Sequence, residues 1–156
     1  MTENEILIDR FYSAFKKGDY KTMQSCYADQ ATFSDAAFQG LDSDQAKAMW
    51  EMLCKNGKDF ELSYSNVTDQ AGGASADWVA SYTFSKTGNK VVNRVHADFV
   101  IEDGKIVNHM DQFDFYAWAK QAFGITGLLI GWTDFFKTKV RKTAGENLAR
   151  FMEKRS

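Results

Sequence analysis

The chain of 156 residues contains no proline, only two cysteines and only two histidines. Without proline, every turn depends on glycine, asparagine or aspartate, which adopt turn conformations readily. Cys26 and Cys54 are too few for a disulfide framework, and no set of residues has the spacing of a zinc or iron–sulfur site. The two thiols are therefore interpreted as reduced and packed, and we expect neither metal nor cofactor.

Long apolar runs are also missing, because the longest, residues 127–132 (GLLIGW), is far shorter than a membrane span. We find no signal peptide, no phosphate-binding glycine loop, and no serine or cysteine nucleophile with a matched base. The net charge of -2 argues against nucleic acid or membrane as the main partner. The stretch 133–156 has seven Lys/Arg against three Asp/Glu, which predicts a solvated basic helix face. We expect a cytoplasmic protein.

Aromatic residues, by contrast, are abundant, with 13 Phe, six Tyr and four Trp. This surplus suits a lined cavity or a buried oligomer interface, while a phenylalanine-rich core is the alternative. The length fits one domain, here 1–156, in which 124–156 forms a helical carboxy-terminal extension.

The hydrophobic period changes near residue 59. Before it, apolar residues recur at helical spacing in three segments, with a short strand at 31–34 between the second and third. The second helix is expected to run to about Tyr27. After residue 59, alternation predicts four antiparallel strands, the last two joined by a hairpin at Asp103-Gly104. A helix near 116–123 and another from about 133, with a possible break at Gly145, complete an α+β pattern.

Both histidines stand two residues before an aspartate, in His96-Ala97-Asp98 and His109-Met110-Asp111. Residues at i and i+2 of a strand point to the same face. Each motif therefore places an imidazole beside a carboxylate, a pair suited to proton transfer near neutral pH. A satisfied polar pair within the sheet is the alternative.

Two segments carry a resemblance to a known family. Residues 27–35 (YADQATFSD) resemble the ketosteroid isomerase segment that ends in the catalytic aspartate, and residues 103–114 (DGKIVNHMDQFD) resemble the final strand of SnoaL-like cyclases and limonene epoxide hydrolases. Over about residues 5–120, the chain is thus similar to the nuclear transport factor 2-like superfamily. The resemblance implies a cone made by a curved antiparallel sheet and amino-terminal helices, a mostly apolar ligand inside it, and a homodimer.

The resemblance also implies which side chains face the cone. His109 and Asp111 would face it and, with Asp35, would form the catalytic set. His96 and Asp98 would lie on the opposite face. The expected ligand-binding residues are Trp78, Tyr82, Asn93, Phe99 and Phe113. Asp114 is at an even-numbered position, unlike His109 and Asp111, and would point to the opposite face of the strand. It is expected to cap the helix that follows it.

Several catalytic side chains of the ketosteroid isomerases and the epoxide hydrolases are absent from this sequence. The oxyanion hole of the isomerase needs a tyrosine on the first helix and an acidic donor on the sheet, where this chain has Phe11 and Ala97. Tyr12 is adjacent and is expected to point elsewhere. The Arg and Asp partners of the epoxide hydrolases correspond to Trp78 and Ala80. Neither specific activity is therefore expected.

Three functions stay open. The first is a cofactor-independent acid–base enzyme of isomerase or cyclase type, with Asp111 or Asp35 as base and His109 as proton donor or orienter. It would act on a small apolar carbonyl compound. The second is a module that binds a small ligand without chemistry, or whose cone is filled by side chains. The third is a protein-interaction module, in which the apolar segment 125–136 docks a partner, although we expect it to form an internal lid or a dimer contact.

Overall fold

The computed structural model describes residues 1–155; Ser156, the last residue of the expected extension, lies outside them. The helices and strands follow one another in this order: α1 (Glu3–Lys16), α2 (Tyr20–Ser25), β1 (Tyr27–Ser34), α3 (Ser43–Asn56), β2 (Glu61–Gln70), β3 (Gly73–Thr83), β4 (Lys90–Glu102), β5 (Lys105–Gln112), α4 (Phe115–Phe123), α5 (Ile125–Ile130) and α6 (Asp134–Arg155). The predicted α+β class is confirmed.

The five strands form one curved, unclosed sheet in the order β1-β5-β4-β3-β2. Strands β2 to β5 pair antiparallel, as the alternating pattern predicts. Strand β1 joins the far edge parallel to β5, with Phe33 opposite His109. The amino-terminal and carboxy-terminal strands are therefore neighbours, which brings Asp35, just beyond β1, to the side of the sheet that carries Asp111.

Local sequence signals define the helix starts and the last hairpin. Thr2 and Glu5 form a capping box on α1, and Asp42 forms another with Gln45 on α3. The β4–β5 hairpin turns at Asp103 and Gly104, which have φ values of 51° and 73°. Aspartate and glycine tolerate this left-handed region better than other residues do, so the turn predicted from the sequence forms there.

Helices α1 and α3 cover the concave face of the sheet and close the core. On β4 the odd-numbered residues from Val95 to Ile101 are buried, and the even-numbered Val92, Arg94, His96 and Val100 are exposed. Glu51 on α3 forms ion pairs with Lys55 at 2.8 Å and with Arg155 on α6 at 3.2 Å. Helix α6 is thus packed against α3, while the division into a domain and an extension from residue 124 stays a prediction.

Two sequence expectations about the elements are wrong, and one helix was not predicted. Tyr27 does not end α2 but opens β1, because its side chain packs into the core under the sheet. Residues 125–130 form α5, a six-residue helix that was not predicted. Helix α6 runs through Gly145 without a break, since a single glycine in a long helix costs only about 1 kcal/mol relative to alanine.

Among the helices of residues 1–155, none combines the length and the apolar character that crossing a bilayer requires.

Candidate functional site

Strand parity separates the two His-x-Asp motifs. His109 is fully buried and Asp111 is 4% exposed, both on the concave face of β5. His96 lies on the outer face of β4, with 46% of its side chain exposed. There it lies between Asp77, at 2.7 Å, and Asp98, at 3.3 Å, and the bond with Asp77 raises the pKa of His96. The faces are those expected from the sequence, and a functional role for His109 and Asp111 stays a prediction.

His109 belongs to a chain of hydrogen bonds that crosses the core. The indole Nε1–H of Trp50 donates to the Tyr27 hydroxyl oxygen at 2.8 Å, and that hydroxyl lies 2.7 Å from His109 Nδ1. His109 Nε2 lies 2.8 Å from Asp111 Oδ1. Every donor has an acceptor if Tyr27 donates to Nδ1 and Nε2–H donates to Asp111. The partners therefore favour the neutral imidazole with its proton on Nε2.

Aromatic rings fill the space around this imidazole. Phe99 lies 4.2 Å from His109 between ring centroids and Phe33 4.9 Å, and three more rings lie within 6.2 Å, those of Phe11, Trp50 and Tyr27. The inner end of the cone is thus packed with side chains. A ligand cannot touch His109 unless these rings move.

Asp35 lies in the loop after β1, closer to solvent than Asp111. Its Oδ1 accepts hydrogen bonds from the backbone N–H groups of Ala37 and Phe38, both at 2.7 Å. Oδ2 has no partner among residues 1–155. Burial raises the pKa of the Asp35 carboxyl to about 6, and the negative charge of Asp111 adds to this, while the hydrogen bonds from the backbone N–H groups of Phe38 and Ala37 oppose it. Such a carboxyl exchanges protons near neutral pH.

The expected ligand-binding residues lie on the concave side. Trp78 and Phe99 are buried, whereas Tyr82, Asn93 and Phe113 are half-buried. The Tyr82 hydroxyl accepts a hydrogen bond from the indole of Trp118 at 2.9 Å. Burial raises the pKa of Tyr82, and the charge of Asp35 contributes to the same shift. Tyr82 is therefore near the candidate base, at the more open end of the cone.

Tyr12 is a site candidate that the sequence interpretation missed. We expected it to point away from the cone, yet it is fully buried, and the charge of Asp111 contributes, after burial, to raising its pKa. The error lies in treating one helical ridge as the whole buried face. Ile8, Tyr12 and Phe15 form a second ridge beside Leu7, Phe11 and Ala14, and all six are buried. The i, i+4, i+7 spacing of Ile8, Tyr12 and Phe15 was the available signal.

Two buried donors have no acceptor among residues 1–155: the Tyr12 hydroxyl and the Trp78 indole N–H. Their rings are neighbours, with centroids 6.2 Å apart. Buried polar groups are nearly always hydrogen-bonded, so unpaired donors are unusual and call for an explanation. These two supply donor capacity that Phe11 and Ala97 lack.

A cavity of about 370 Å³ opens beside Asp35. Its lining combines aromatic and charged side chains: Ala36, Phe113, Asp114, Phe115, Tyr116, Trp132, Lys137 and Arg141. A second cavity of about 420 Å³ lies at the opposite end of β1, near Ala28 and Lys105. Neither is lined by Asp35, His109 or Asp111. The first adjoins the candidate site through Ala36 and Phe113.

Two further expectations concern the carboxy-terminal side. Asp114 caps α4, because its Oδ1 accepts a hydrogen bond from the N–H of Ala117 at 3.0 Å, as predicted. Residues 125–136 were expected to form an internal lid or a dimer contact. Their large apolar side chains other than Phe136 are exposed, so the internal lid is wrong for them, and the dimer contact stays a prediction.

The side chains of residues 1–155 contain no group of three or more His, Cys, Asp or Glu arranged to hold a metal ion.

Comparisons with known proteins agree on the fold. A family model of the SnoaL-like domain matches residues 8–109. The LEH-like epoxide hydrolase of M. tuberculosis is 17% identical, with a TM-score of 0.65 over 82% of this chain and 96% of its own. A protein of Jannaschia sp. CCS1, provisionally assigned as a SnoaL-like polyketide cyclase, is 14% identical, with a TM-score of 0.68 over 78% and 92%.

A third solved structure was obtained with a small molecule. TerC co-crystallised with polyporic acid is 15% identical, with a TM-score of 0.66 over 79% of this chain and 100% of its own. The comparison with curated protein sequences returned no match. At these identities, similarity to the solved structures establishes the fold only. The chemistry has to be inferred from the residues of the site.

Proposed function

Since this chain belongs to the SnoaL-like domain family, whose members bind small ligands, we propose that it is a cofactor-independent acid–base catalyst. The reaction would be of isomerase or cyclase type on a small, largely apolar carbonyl compound. The observation that carries the proposal is Asp35, a half-buried carboxyl with one uncommitted oxygen and a pKa of about 6. A base with such a pKa can remove a proton next to a carbonyl near neutral pH and return it to another atom.

Asp111 and His109 have supporting roles in this proposal. The charge of Asp111 helps to keep the pKa of Asp35 high, and the hydrogen bond from His109 holds Asp111 in place. His109 is enclosed by aromatic rings and bonded through both nitrogens. It therefore acts as a positioning residue in the proposed mechanism, which is the second of the two roles, proton donor or orienter, expected from the sequence.

Stabilisation of the enolate would come from hydrogen-bond donors. The Tyr12 hydroxyl and the Trp78 indole N–H are buried and lack acceptors among residues 1–155. Donors already desolvated in this way interact strongly with a developing oxyanion, because little water competes with them. A carbonyl oxygen that reaches them would have to displace part of the aromatic packing.

The remaining parts of the proposal concern substrate, assembly and location. The cavity beside Asp35, at about 370 Å³, falls within the range of small-molecule sites. Its aromatic lining of Phe113, Phe115, Tyr116 and Trp132 favours a flat apolar substrate. Trp78, Tyr82, Asn93 and Phe99 stay proposed ligand-binding residues on the concave side of the sheet. A homodimer is supported by exposed apolar side chains on the outer face of the sheet, Val92, Val100 and Met110. The free thiols of Cys26 and Cys54 fit a reducing, cytoplasmic location.

Hydrogen–deuterium exchange at carbon next to a carbonyl tests the proposal directly. Apolar ketones such as 2-tetralone and cyclohexanone, incubated with the protein in D₂O at pH 7.5, are followed by proton NMR. We expect Asp35→Asn to lower the enzyme-dependent exchange rate about 100-fold or more, as loss of a general base typically does. Tyr12→Phe should lower kcat with less effect on KM, because the hydroxyl would act mainly on the enolate.

Asp98→Asn is the matched control, because it is the same substitution on the outer face of the sheet. It should exchange at the wild-type rate. Exchange that persists at the wild-type rate in Asp35→Asn would contradict the proposal.

The alternative function is a non-catalytic binding or interaction module, and one observation favours it. The series of hydrogen bonds that links Trp50, Tyr27, His109 and Asp111 pairs these groups with one another. Aromatic rings surround the series, as expected of a structural network. If the protein binds ketones in a calorimetric titration but the wild type gives no exchange above buffer, the module is the better description.

A further inference from the structure

Six large apolar side chains are exposed within eleven consecutive residues of α5 and the start of α6. The exposed fraction of each is between 38% and 76%. We call this set the apolar ridge: Ile125, Leu128, Leu129, Ile130, Trp132 and Phe135. Exposed apolar residues are normal when scattered singly, but a contiguous group indicates an interaction surface.

The ridge is exposed because α5 packs through its glycines. A Cβ atom on Gly127 would lie 1.9 Å from the carbonyl oxygen of Ala119, and one on Gly131 would lie 2.8 Å from the Ala119 Cβ. The backbone of α5 therefore lies directly on α4, and the large side chains point outward. This is the reverse of an ordinary amphipathic helix, which buries its large apolar residues.

The carbonyl groups at the end of α5 are satisfied within the protein. The oxygen of Leu128 accepts from the Tyr116 hydroxyl at 2.8 Å, that of Leu129 from the Trp132 indole at 3.0 Å, and that of Ile130 from the Thr133 hydroxyl at 2.6 Å. Exposed helix ends usually leave such groups to water. Internal partners allow the end of α5 to enter a water-poor environment without unpaired acceptors.

Positive charge surrounds the ridge. Residues 115–142 contain five Lys/Arg and one Asp, a net charge of +4, so the rest of this chain of net charge -2 carries -6. Phe135, Lys139 and Lys142 follow the i, i+4, i+7 spacing of one face of α6, and Lys139 and Lys142 are exposed. The Lys120 ammonium lies 4.7 Å from the centroid of the Tyr116 ring. The basic part of an otherwise acidic protein thus coincides with its exposed apolar part.

We propose that the apolar ridge docks on the surface of an anionic lipid bilayer. Its aliphatic and aromatic side chains enter the boundary between headgroups and acyl chains, and the surrounding lysines contact anionic headgroups. This combination of short apolar helix, interfacial tryptophan and flanking cations is that of peripheral membrane anchors.

A second copy of the chain is a poorer occupant of the ridge. A symmetric contact would bring the same positive surface of both protomers together, and like charges across an interface oppose association. Docking on a bilayer departs from the sequence expectation that membranes are not a partner, because the net charge of the whole chain conceals the basic surface. The inference does not require the proposed catalysis, although Trp132 of the apolar ridge also lines the cavity proposed for the substrate.

Vesicle co-sedimentation tests this inference with the full chain. In 100 mM salt, we expect the protein to pellet with phosphatidylcholine vesicles containing 30% phosphatidylglycerol and to remain in solution with phosphatidylcholine alone. Leu128→Gln/Leu129→Gln should weaken binding by about tenfold or more, given the transfer free energy of leucine. Lys139→Gln/Lys142→Gln should weaken it by about fivefold per charge.

Ile6→Gln is the matched control, since Ile6 is 54% exposed on α1 and lies outside the ridge. It should bind as the wild type does, and circular dichroism should show equal folding of all variants. Trp132 fluorescence should shift to the blue with anionic vesicles. The inference is overturned if wild type and the Leu128/Leu129 variant pellet equally, or if neither pellets. It is also overturned if the ridge variants instead convert a dimer into a monomer, because a second copy would then occupy the ridge.

Discussion

The ionised carboxylate of Asp35 lowers the free energy of unfolding at neutral pH. Its pKa of about 6 exceeds the ordinary 3.8 because burial disfavours the charge. A carboxyl whose pKa is raised by folding contributes its full stability below the unfolded value. That contribution is lost as the pH rises through about 6, so at pH 7.5 the half-buried carboxylate reduces stability. Strain of this kind is common where a residue serves chemistry at the expense of stability.

We therefore predict that Asp35→Asn stabilises the protein at pH 7.5 by up to about 3 kcal/mol. The amide oxygen of asparagine can still accept from the N–H groups of Ala37 and Phe38, so the loop should be preserved. Urea denaturation at pH 7.5 and at pH 4 measures the effect, which should be close to zero at pH 4. Asp29→Asn, at an exposed position of β1, serves as the control. An equal effect of Asp35→Asn at both pH values would show that ionisation is not its origin.

At the scale of single residues, the sequence predicts which face of the sheet a side chain points to better than it predicts which groups surround that side chain. The period of two in β5 correctly gives the face of His109 and Asp111. It does not reveal that Tyr27, 82 positions earlier, lies 2.7 Å from His109, because that contact depends on the pairing of β1 with β5. The burial of Tyr12 could have been inferred from its spacing, but its unpaired hydroxyl could not, since pairing depends on every neighbouring side chain.

Among the elements, α5 and α6 differ in how they use glycine. Gly127 lets the backbone of α5 contact that of α4, whereas a Cβ at Gly145 in α6 would have nothing within 4 Å. Both residues lie within helices, so a sequence pattern treats them alike. Only the packing of α5 on α4 distinguishes a glycine that is required from one that is not.

We predict opposite effects of alanine at these two positions. Gly127→Ala should destabilise the protein by about 1–3 kcal/mol, because the new methyl group would overlap the Ala119 carbonyl and push α5 away. Gly145→Ala should stabilise it by about 0.5–1 kcal/mol through helix propensity. Thermal or urea unfolding of the pair provides the comparison. If Gly127→Ala is neutral, α5 is not held as close to α4 as the structure describes.

For the whole molecule, the sheet leaves an outer face that is available for association. Val92 and Val100 of β4 and Met110 of β5 are each between 42% and 44% exposed there, beside the ion pairs of His96. Except for α5, the order of secondary structure was predictable from periodicity and capping, as was the antiparallel arrangement of β2 to β5. The parallel docking of β1 was not, because no local signal couples residues 27–34 to residues 106–110.

We predict that the protein forms a homodimer through this outer face. Light scattering after size exclusion should give twice the chain mass of 17.7 kDa for the wild type. Val100→Asp should give the monomer mass, because a carboxylate would be desolvated in the interface. Ile6→Asp, exposed on α1, should remain dimeric. A dimer that survives Val100→Asp, or a monomeric wild type, would rule out this interface.

The pairing of β1 with β5 has a consequence for how the chain folds. The hairpins from β2 to β5 join neighbouring segments and can form early, whereas β1 must close a loop of about 80 residues to reach its partner. The hydrogen bond from Tyr27 to His109 forms with that closure. A folding intermediate with a complete β2–β5 meander would therefore still lack the interior network, and the lack of proline removes prolyl isomerisation as a source of slow refolding.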